Sequence, residues 1–440
     1  MNKQADIVRG LPYQYSLFSV TTLQQHEGAE PLITPVSFRE MVKEIADTTY
    51  LTHGLFYYPA KFIPHVPHYC VRQFCPEKGW VIDPFAGSGT VGLEAVLANR
   101  NAILIDINPL LNIYVDTKIN YRHTDIDNAS VIRALQQMFT WQTPYEPDWK
   151  NLDYWYPTEI LTLLKQYWGW IHNQNANDPC VCIIRPALMR ASRKFSWADP
   201  KTAKLCRSKH KTQEMQEFLK RENWQEQIKN FITKKALESA SRLRSLAQTL
   251  ANNPCQTIAL AETDSATANL QNHPQTDAII TSPPYLQAQE YLRAFKLDLF
   301  WTGTSETKVR ELMRLEIPYR KATEPFTTPT YTQIYEQLNR TDLQAMLHSY
   351  FFYTTQALEN ATTTLKRNGY LCVFVGNPTI DGIEVETWKI IAEYFEPKGF
   401  AMHKVLQDEI KNRQLFRHAR KNKNPEGMES EYLLVMQKEK

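Results

Sequence analysis

An apolar run that ends in a glycine-rich turn is the sequence feature that most restricts the fold of this chain. Residues 80–82 are Trp-Val-Ile, the turn at 83–90 is Asp-Pro-Phe-Ala-Gly-Ser-Gly-Thr, and an amphipathic helical pattern follows at 91–97. Glycines let the backbone turn tightly and approach a ligand closely. The free N–H groups at the start of the following helix favour an anionic or carboxylate-bearing ligand. No Gly-Lys-Ser/Thr follows, so the turn is not a phosphate-binding P-loop. The segment predicts a strand–turn–helix unit of an α/β protein.

Two further apolar runs end near acidic residues. The run 101–105 ends in Asp106, and the run 256–260 is followed closely by Asp264. An acid about 20 residues after a glycine turn, at the end of the next strand, is typical of a carboxylate that binds ribose hydroxyls. Each acid could instead be a helix N-cap. For each acid, the residues alone leave both ligand binding and helix capping open.

A fourth run, residues 277–280, is followed by Thr-Ser-Pro-Pro-Tyr at 281–285. The strand has to end there, because proline lacks the N–H that a continuing ladder needs. Open α/β sheets bind their ligands at the carboxyl ends of the strands. We therefore expect the serine, the two prolines and the tyrosine to lie at a site.

These motifs, in this order, resemble those of the amino-methylating DNA methyltransferases that use S-adenosylmethionine. The resemblance lies in DPFAGSGT (83–90), LIDINP (104–109) and TSPPY (281–285). HGLFYYPAKFIP (53–64) resembles a further family motif, which in several members precedes the glycine turn and closes over the methionine end of the cofactor. The resemblance covers about 50–120 and 256–440. It implies a Rossmann-like α/β fold with a mixed, mostly parallel seven-stranded sheet.

The resemblance also implies roles for individual residues. Asp106 would bind the ribose of S-adenosylmethionine, and Asp264 would accept the exocyclic amine of its adenine. The catalytic residues would be Ser282, Pro283, Pro284 and Tyr285. The cofactor-binding residues would be Tyr58, Pro59, Ala60, Lys61, Phe62, Asp83, Pro84, Phe85, Ala86, Gly87, Ser88, Gly89, Thr90, Asp106, Ile107, Asn108, Asp264 and Ser265.

The catalytic motif suits methyl transfer to an exocyclic amine of a base, whose lone pair is conjugated into the ring. The Ser282 hydroxyl and the Pro283 carbonyl can accept hydrogen bonds from the amine and favour tetrahedral geometry at nitrogen, while Tyr285 can stack on the base. A base inside a duplex can be reached only after it is flipped out. In the resembled family a serine at the first motif position is usually associated with cytosine N4, and aspartate or asparagine mostly with adenine N6. Ser282 therefore favours cytosine N4, and adenine N6 stays the alternative.

Residues 122–255 are much longer than a normal crossover and predict a largely helical insertion. The whole chain carries a net charge of only +3, but lysines and arginines cluster from Arg185 onward. Basic residues interleaved with aromatic ones fit a nucleic-acid surface, although a solvated helical face is the alternative. The residues after the catalytic motif could contact DNA or simply pack. The predicted DNA-binding residues are Arg190, Arg193, Lys194, Lys201, Lys204, Arg207, Lys209, Tyr291, Arg293 and Lys296.

We divide the chain into an N-terminal extension (1–50), a catalytic domain (51–121 and 256–440) and the basic insertion (122–255), the candidate target-recognition region. The threonine- and proline-rich segment 303–342 predicts a mobile loop that competes for the recognition role. The chain shows neither an apolar run of membrane length nor a signal peptide. Its seven cysteines fit no zinc pattern. We expect a cytoplasmic protein without a metal site.

The leading hypothesis is a DNA methyltransferase acting on duplex DNA, as the protective part of a restriction–modification system whose endonuclease acts separately. The alternatives are a methylase of RNA or protein amines, and a silent DNA-binding subunit. The basic insertion and the 53–64 motif favour DNA, and the intact DPFAGSGT and TSPPY argue against a silent subunit. Transfer of labelled methyl groups to DNA or RNA would separate these hypotheses.

Overall fold

The computed structural model describes residues 32–59, 61–202, 204–286, 291–410, 428 and 430–439. Within these residues an eight-stranded sheet has the order β1-β9-β10-β6-β5-β2-β3-β4, and β7 and β8 form a separate hairpin. Neighbouring strands are parallel except on both sides of β10, which runs antiparallel to β6 and β9. The strands are β1 Ile33–Val36, β2 Trp80–Asp83, β3 Asn101–Ile105, β4 Thr257–Leu260, β5 Thr276–Thr281, β6 Leu365–Gly376, β7 Thr379–Ile380, β8 Ile383–Glu384, β9 Phe400–Glu409 and β10 Ser430–Lys438.

Helices cover both faces of the sheet and form the insertion. The α-helices are α1 Phe38–Met41, α2 His65–Phe74, α3 Thr90–Leu97, α4 Leu110–Tyr114, α5 Asn128–Thr140, α6 Thr158–His172, α7 Pro179–Lys194, α8 Lys209–Leu219, α9 Trp224–Thr249, α10 Tyr291–Ala294, α11 Lys296–Trp301, α12 Glu306–Met313, α13 Pro329–Gln337, α14 Thr341–Thr362 and α15 Thr387–Phe395. A π-helical turn spans Val115–Ile119, and short 3-10 helices span Leu51–Gly54, Leu152–Trp155, Ile317–Tyr319 and Glu396–Lys398.

The strand order reverses at β2, which lies between β3 and β5. Central strands of this kind are apolar on both faces because helices cover both sides, and Val81, Ile82 and Ile279 are fully buried. Ile82 pairs with Ile279, so β2 and β5 end next to each other. Such a reversal leaves a crevice at the carboxyl ends of the strands, where open α/β sheets bind ligands.

The predicted Rossmann-like sheet, mixed and mostly parallel, is confirmed, but the predicted number of seven strands is wrong. The eighth strand is β1, which lies in the predicted N-terminal extension and pairs in parallel with β9 at the sheet edge. Its partner is about 370 residues away in sequence, and β1 is largely exposed. A short exposed strand with such a distant partner carries no local sequence signal.

Two local predictions also differ from the structure. The segment 303–342 is not a plain loop, because it contains α12, a 3-10 helix and α13. Some of its threonines and prolines begin helices. Thr328 caps α13 through its side chain, and Pro329 is the first residue of that helix. The sequence from 211 to 251 is typical of one continuous helical run, but the structure divides it into α8 and α9.

The insertion shares its apolar core with the rest of the chain. Trp168 of α6 stacks on Trp301 of α11 with ring centroids 5.9 Å apart. Trp149 stacks on Phe300 with centroids 4.4 Å apart. These contacts belong to one buried cluster that continues to Leu104 of β3. Residues 122–255 are therefore packed firmly on the part of the molecule that contains the sheet.

Within the described ranges, no helix combines the length and apolar character needed to cross a bilayer. The same residues contain no group of three or more His, Cys, Asp or Glu side chains that could hold a metal ion. All seven cysteines are free thiols.

Candidate active site

The glycine turn after β2 is held in a conformation that requires glycine. Gly87 and Gly89 have φ angles of 52° and 71°, values that cost other residues free energy. A Cβ atom on Gly87 would lie 2.9 Å from the hydroxyl oxygen of Tyr58. The turn therefore lies directly beneath the aromatic segment 55–62 and opens onto the N-terminus of α3.

Asp106, at the end of β3, holds the glycine turn through its carboxylate. Its Oδ2 accepts a hydrogen bond from the Gly87 N–H at 2.7 Å, and its Oδ1 accepts one from the Asn108 N–H at 2.8 Å. Burial raises the pKa of Asp106, and these two backbone donors lower it. An ionised carboxylate has about four acceptor sites. Asp106 can therefore hold the turn and still accept hydrogen bonds from ribose hydroxyls.

The residues after β4 also reach this turn. The Ser265 hydroxyl donates a hydrogen bond to the Pro84 carbonyl. Asp264 forms an ion pair with Arg320, whose Nη1 lies 2.8 Å from Oδ2, and its Oδ1 accepts from the Ala266 N–H at 3.1 Å. No local sequence signal indicates that Arg320 is a neighbour of the predicted adenine-binding acid, since the two residues are 56 positions apart.

A buried hydrogen bond joins the glycine turn to the TSPPY motif at 281–285. The Thr281 hydroxyl donates to Asp83 Oδ1 at 2.6 Å, and the Phe85 N–H donates to the same oxygen at 3.0 Å. Thr281 and Asp83 are 0% and 2% exposed. Burial raises the pKa of Asp83 to about 7, although the two hydrogen bonds act in the opposite direction. Two motifs about 200 residues apart in sequence are thus fixed against each other at the point where the strand order reverses.

The serine–proline–proline–tyrosine motif leaves β5 at the same edge. Ser282, Pro284 and Tyr285 are half-buried, and Pro283 is buried. The Tyr285 hydroxyl donates a hydrogen bond to Glu431 of β10. The sequence analysis did not detect this acid, since it lies in the last strand, about 150 residues downstream.

The aromatic segment before the turn lies over it as an ordered wall. Tyr58 packs against Phe295 with ring centroids 4.8 Å apart and stacks on Tyr291 at 6.5 Å. Phe62 stacks on Phe374 of β6 at 5.5 Å. The Lys61 ammonium donates to the His53 carbonyl at 2.6 Å, and burial lowers its pKa to about 8. Among the predicted cofactor residues, Pro59 is buried, and Ala60 lies outside the described residues.

A buried polar cluster behind the turn was missed by the sequence analysis. Glu94 of α3 accepts hydrogen bonds from His53 Nε2 at 2.7 Å, from His68 Nδ1 at 3.0 Å and from the Tyr50 hydroxyl. Burial alone would raise the pKa of Glu94, but the histidine hydrogen bonds lower it to about 2. Nearby, the buried Lys118 ammonium donates to the Ser88 carbonyl at 2.5 Å. A glutamate within the otherwise apolar pattern of α3 was the available signal.

The predicted DNA-binding residues fall into two groups. Arg190 and Arg193 are half-buried: Arg190 Nε donates to the Leu55 carbonyl at 3.2 Å, and Arg193 Nη1 donates to the Ala294 carbonyl at 3.0 Å. These two arginines fasten the insertion to the aromatic segment and to α10. Tyr291, Arg293 and Lys296 are half-buried in α10 and α11. The exposed residues of the set are Lys194, Lys201, Lys204, Arg207 and Lys209.

Comparison with known proteins agrees with this geometry. Residues 32–114 match a family model described as DNA methylase. Over 303 residues the chain is 26% identical to the Type II methyltransferase M.BsoBI of Geobacillus stearothermophilus, covering 63% of this chain and 58% of that protein. It is 23% identical over 388 residues to the Type II methyltransferase M.MvaI of Kocuria varians, covering 80% of this chain and 82% of that protein.

Two other similarities are more limited. The Type II methyltransferase M.MjaII of Methanocaldococcus jannaschii is 34% identical over 67 residues, 15% of this chain and 13% of its own. The rRNA methyltransferase aviRa from Streptomyces viridochromogenes aligns over 90% of this chain and 92% of its own, but with a TM-score of 0.31 and 11% identity it supports no conclusion. Residues 32–114 are thus similar to the DNA methylase family, and the two relatives that match most of this chain are Type II methyltransferases.

Proposed function

We propose that this protein transfers the methyl group of S-adenosylmethionine to the exocyclic N4 amine of cytosine in duplex DNA. The observation that carries the proposal is the buried Thr281–Asp83 hydrogen bond, which fixes the serine–proline–proline–tyrosine motif beside the glycine turn. Motif and turn leave adjacent parallel strands at the same edge of the sheet. A ligand held by the turn and a base held by the motif would therefore meet in one crevice.

The residues at this edge fit S-adenosylmethionine. A Cβ atom at Gly87 would collide with Tyr58, so glycine at this position lets a ligand approach the backbone of the turn closely. Asp106 keeps acceptor capacity for the ribose, and Asp264 lies at the end of the neighbouring strand for the adenine. The segment 58–62 would cover the methionine end. When bound, the cofactor supplies an electrophilic methyl group.

The protein's own groups would prepare the amine that receives the methyl group. The Ser282 hydroxyl and the Pro283 carbonyl accept hydrogen bonds from the exocyclic nitrogen and orient its lone pair. The Tyr285 ring stacks on the flipped base. Positioning and electrostatics account for most of the acceleration in such a site, and the surplus proton leaves after transfer. No covalent bond between enzyme and base is required.

Ser282 determines the choice of base in this proposal. A serine at this position favours cytosine N4, and adenine N6 is the alternative, because a neutral hydroxyl can accept a hydrogen bond from either amine. Nucleoside analysis of DNA methylated by the purified protein decides between them. Detection of N4-methylcytosine supports the proposal, and N6-methyladenine as the only product overturns the cytosine assignment.

The polymer substrate is tested by labelled methyl transfer to duplex DNA and to RNA in parallel. Transfer to RNA with none to DNA would contradict the proposal, and no transfer to either would favour a silent DNA-binding subunit. Ser282→Ala and Tyr285→Ala should each abolish most of the transfer. Ser245→Ala, an exposed serine of α9, is the matched control and should leave transfer intact.

The insertion 122–255 is the proposed target-recognition region. Its exposed lysines give it the local positive charge that binding to DNA phosphates requires, and its helices contact both the aromatic segment and α11. The two relatives that match most of this chain are Type II methyltransferases. We accordingly propose a protective role beside a separate cognate endonuclease, in the cytoplasm.

A further inference from the structure

We infer that Glu431 is a positioning residue of the active site, which fixes the ring of Tyr285 for stacking on the target base. The inference rests on the proposed function, because Tyr285 is taken as the residue that stacks on the base. The contact itself is direct: the Tyr285 hydroxyl donates a hydrogen bond to Glu431 Oε1.

The topology of the sheet brings Glu431 to the catalytic edge. β10 runs antiparallel to β6, and Glu431, the second residue of β10, pairs with Gly376, the last residue of β6. The first residues of an antiparallel strand lie at the edge where its parallel neighbours end. The last strand of the fold therefore delivers a carboxylate to the edge where Thr281 ends β5.

The environment of Glu431 is unfavourable for a residue that only serves stability. Its side chain is half-buried, and across the ladder it pairs with another acid, Asp408. Burial and the Asp408 charge both raise the pKa of Glu431, and the hydrogen bond from Tyr285 lowers it. A half-buried carboxylate beside a second acid is unfavourable for the stability of the fold, and residues that break such local rules are expected at functional sites.

The contact constrains the one aromatic side chain of the catalytic motif. The backbone of Tyr285 follows two prolines, which restrict the chain before it. Burial and the neighbouring carboxylate raise the pKa of the Tyr285 hydroxyl, so the hydroxyl stays protonated and remains a donor. The ring is thus fixed at its backbone end by the prolines and at its hydroxyl end by Glu431. A ring that is already ordered loses less side-chain freedom when a base stacks on it.

A double-mutant cycle on the full-length protein tests this role. Single-turnover methyl transfer from labelled S-adenosylmethionine to unmethylated duplex DNA is measured for wild type, Glu431→Ala, Tyr285→Phe and the double variant. Glu431→Ala should lower the rate roughly 10-fold, the effect of losing a hydrogen bond to a charged acceptor. In the Tyr285→Phe background, which lacks the hydroxyl, Glu431→Ala should lower it less than about 2-fold. Glu431→Gln keeps an acceptor and should restore the rate to within roughly 3-fold of wild type.

The controls separate positioning from folding. Glu409→Ala removes an exposed acid at the end of β9, at the same edge of the sheet, and should leave the rate unchanged. The cofactor affinity of the Glu431 variants should stay close to that of wild type, and their melting temperature should not fall. Equal effects of Glu431→Ala with and without the Tyr285 hydroxyl, or full activity of Glu431→Ala, would overturn the inference while the proposed function stands. A wild-type protein that transfers no methyl group to DNA would overturn the proposed function and this inference with it.

Discussion

Asp83 gives the sharpest stability prediction, because the contact that joins the two motifs depends on a buried carboxyl group. Asp83 Oδ1 accepts hydrogen bonds from the Thr281 hydroxyl and the Phe85 N–H. Burial raises its pKa from 3.8 to about 7 despite these donors. Asp83→Asn keeps the carbonyl acceptor for both donors and removes the charge. The variant therefore isolates the cost of ionising this carboxyl group inside the fold.

The sign and the size of the stability change follow from the pKa shift of Asp83. The native pKa lies above the unfolded value, so the contribution of Asp83 to stability is fully present below about pH 4 and is lost as the pH rises through 7. A shift from 3.8 to about 7, at about 1.4 kcal/mol per unit, corresponds to about 4 kcal/mol. The difference in unfolding free energy between Asp83→Asn and wild type should therefore grow by up to about 4 kcal/mol, in favour of the variant, as the pH rises from 4 to 8.

Urea unfolding at several pH values, followed by tryptophan fluorescence and circular dichroism, measures this difference. Asp127→Asn is the matched control: this exposed N-cap of α5 has a lowered pKa because the Ser130 N–H donates to it. Its charge stabilises the fold above the unfolded pKa, so its replacement should give no gain at pH 8. If the difference between Asp83→Asn and wild type stays constant from pH 4 to pH 8, Asp83 does not titrate as its burial requires.

Two further predictions concern the cofactor turn and the DNA surface. Gly87→Ala combines a positive φ with a Cβ atom 2.9 Å from the Tyr58 hydroxyl oxygen, so it should weaken S-adenosylmethionine binding roughly 10-fold or more by calorimetry. Gly382→Ala has a similar positive φ but no atom within 4 Å, so cofactor affinity should not change. Lys201→Ala should reduce the salt slope of DNA affinity by about 0.9, whereas Arg190→Ala, whose guanidinium binds backbone carbonyls, should lower the melting temperature and leave that slope unchanged.

The sequence was sufficient to predict those strands and turns around the candidate site whose signals are local. Continuous apolar runs such as 277–280 predict central strands, because helices cover both faces of the central sheet and bury both sides of each strand. The glycines of the turn were identified because few other residues adopt their backbone angles. Because parallel strands end at a common edge of the sheet, these elements were enough to predict that the glycine turn and the TSPPY motif lie close together.

Contacts between distant side chains could not be read in this way. The partners of Asp264 and Tyr285, Arg320 and Glu431, come from segments 56 and 146 residues away in sequence. Local composition predicts Arg190 as a DNA contact, but composition carries no information on its hydrogen bonds to the backbone carbonyls of Gly54 and Leu55. Only the three-dimensional packing decides whether a basic residue faces solvent or a carbonyl.

The place of the insertion in the fold explains how it can reach the glycine turn. It leaves the sheet between β3 and β4, at the edge, where a long excursion disturbs few strand pairs, and lengthening a connection costs little entropy. Arg242 of α9 then donates to the carbonyls of Thr49 and Leu51, in the chain that leads to Tyr58. We expect DNA and cofactor to bind cooperatively through this connection, each raising the affinity of the other by the same factor.

Calorimetric titration of cofactor with and without DNA measures this coupling. Arg242→Ala should reduce this coupling, because the variant removes two of the hydrogen bonds that join the insertion to the chain leading into the aromatic segment. Arg244→Ala is the matched control: its guanidinium donates to the Ile126 carbonyl and to Asn128, both within the insertion itself. The control should lower stability by a comparable amount and leave the coupling unchanged. Equal coupling in wild type and Arg242→Ala would show that the recognition region communicates with the cofactor turn by another route, for example through Arg193 and α10.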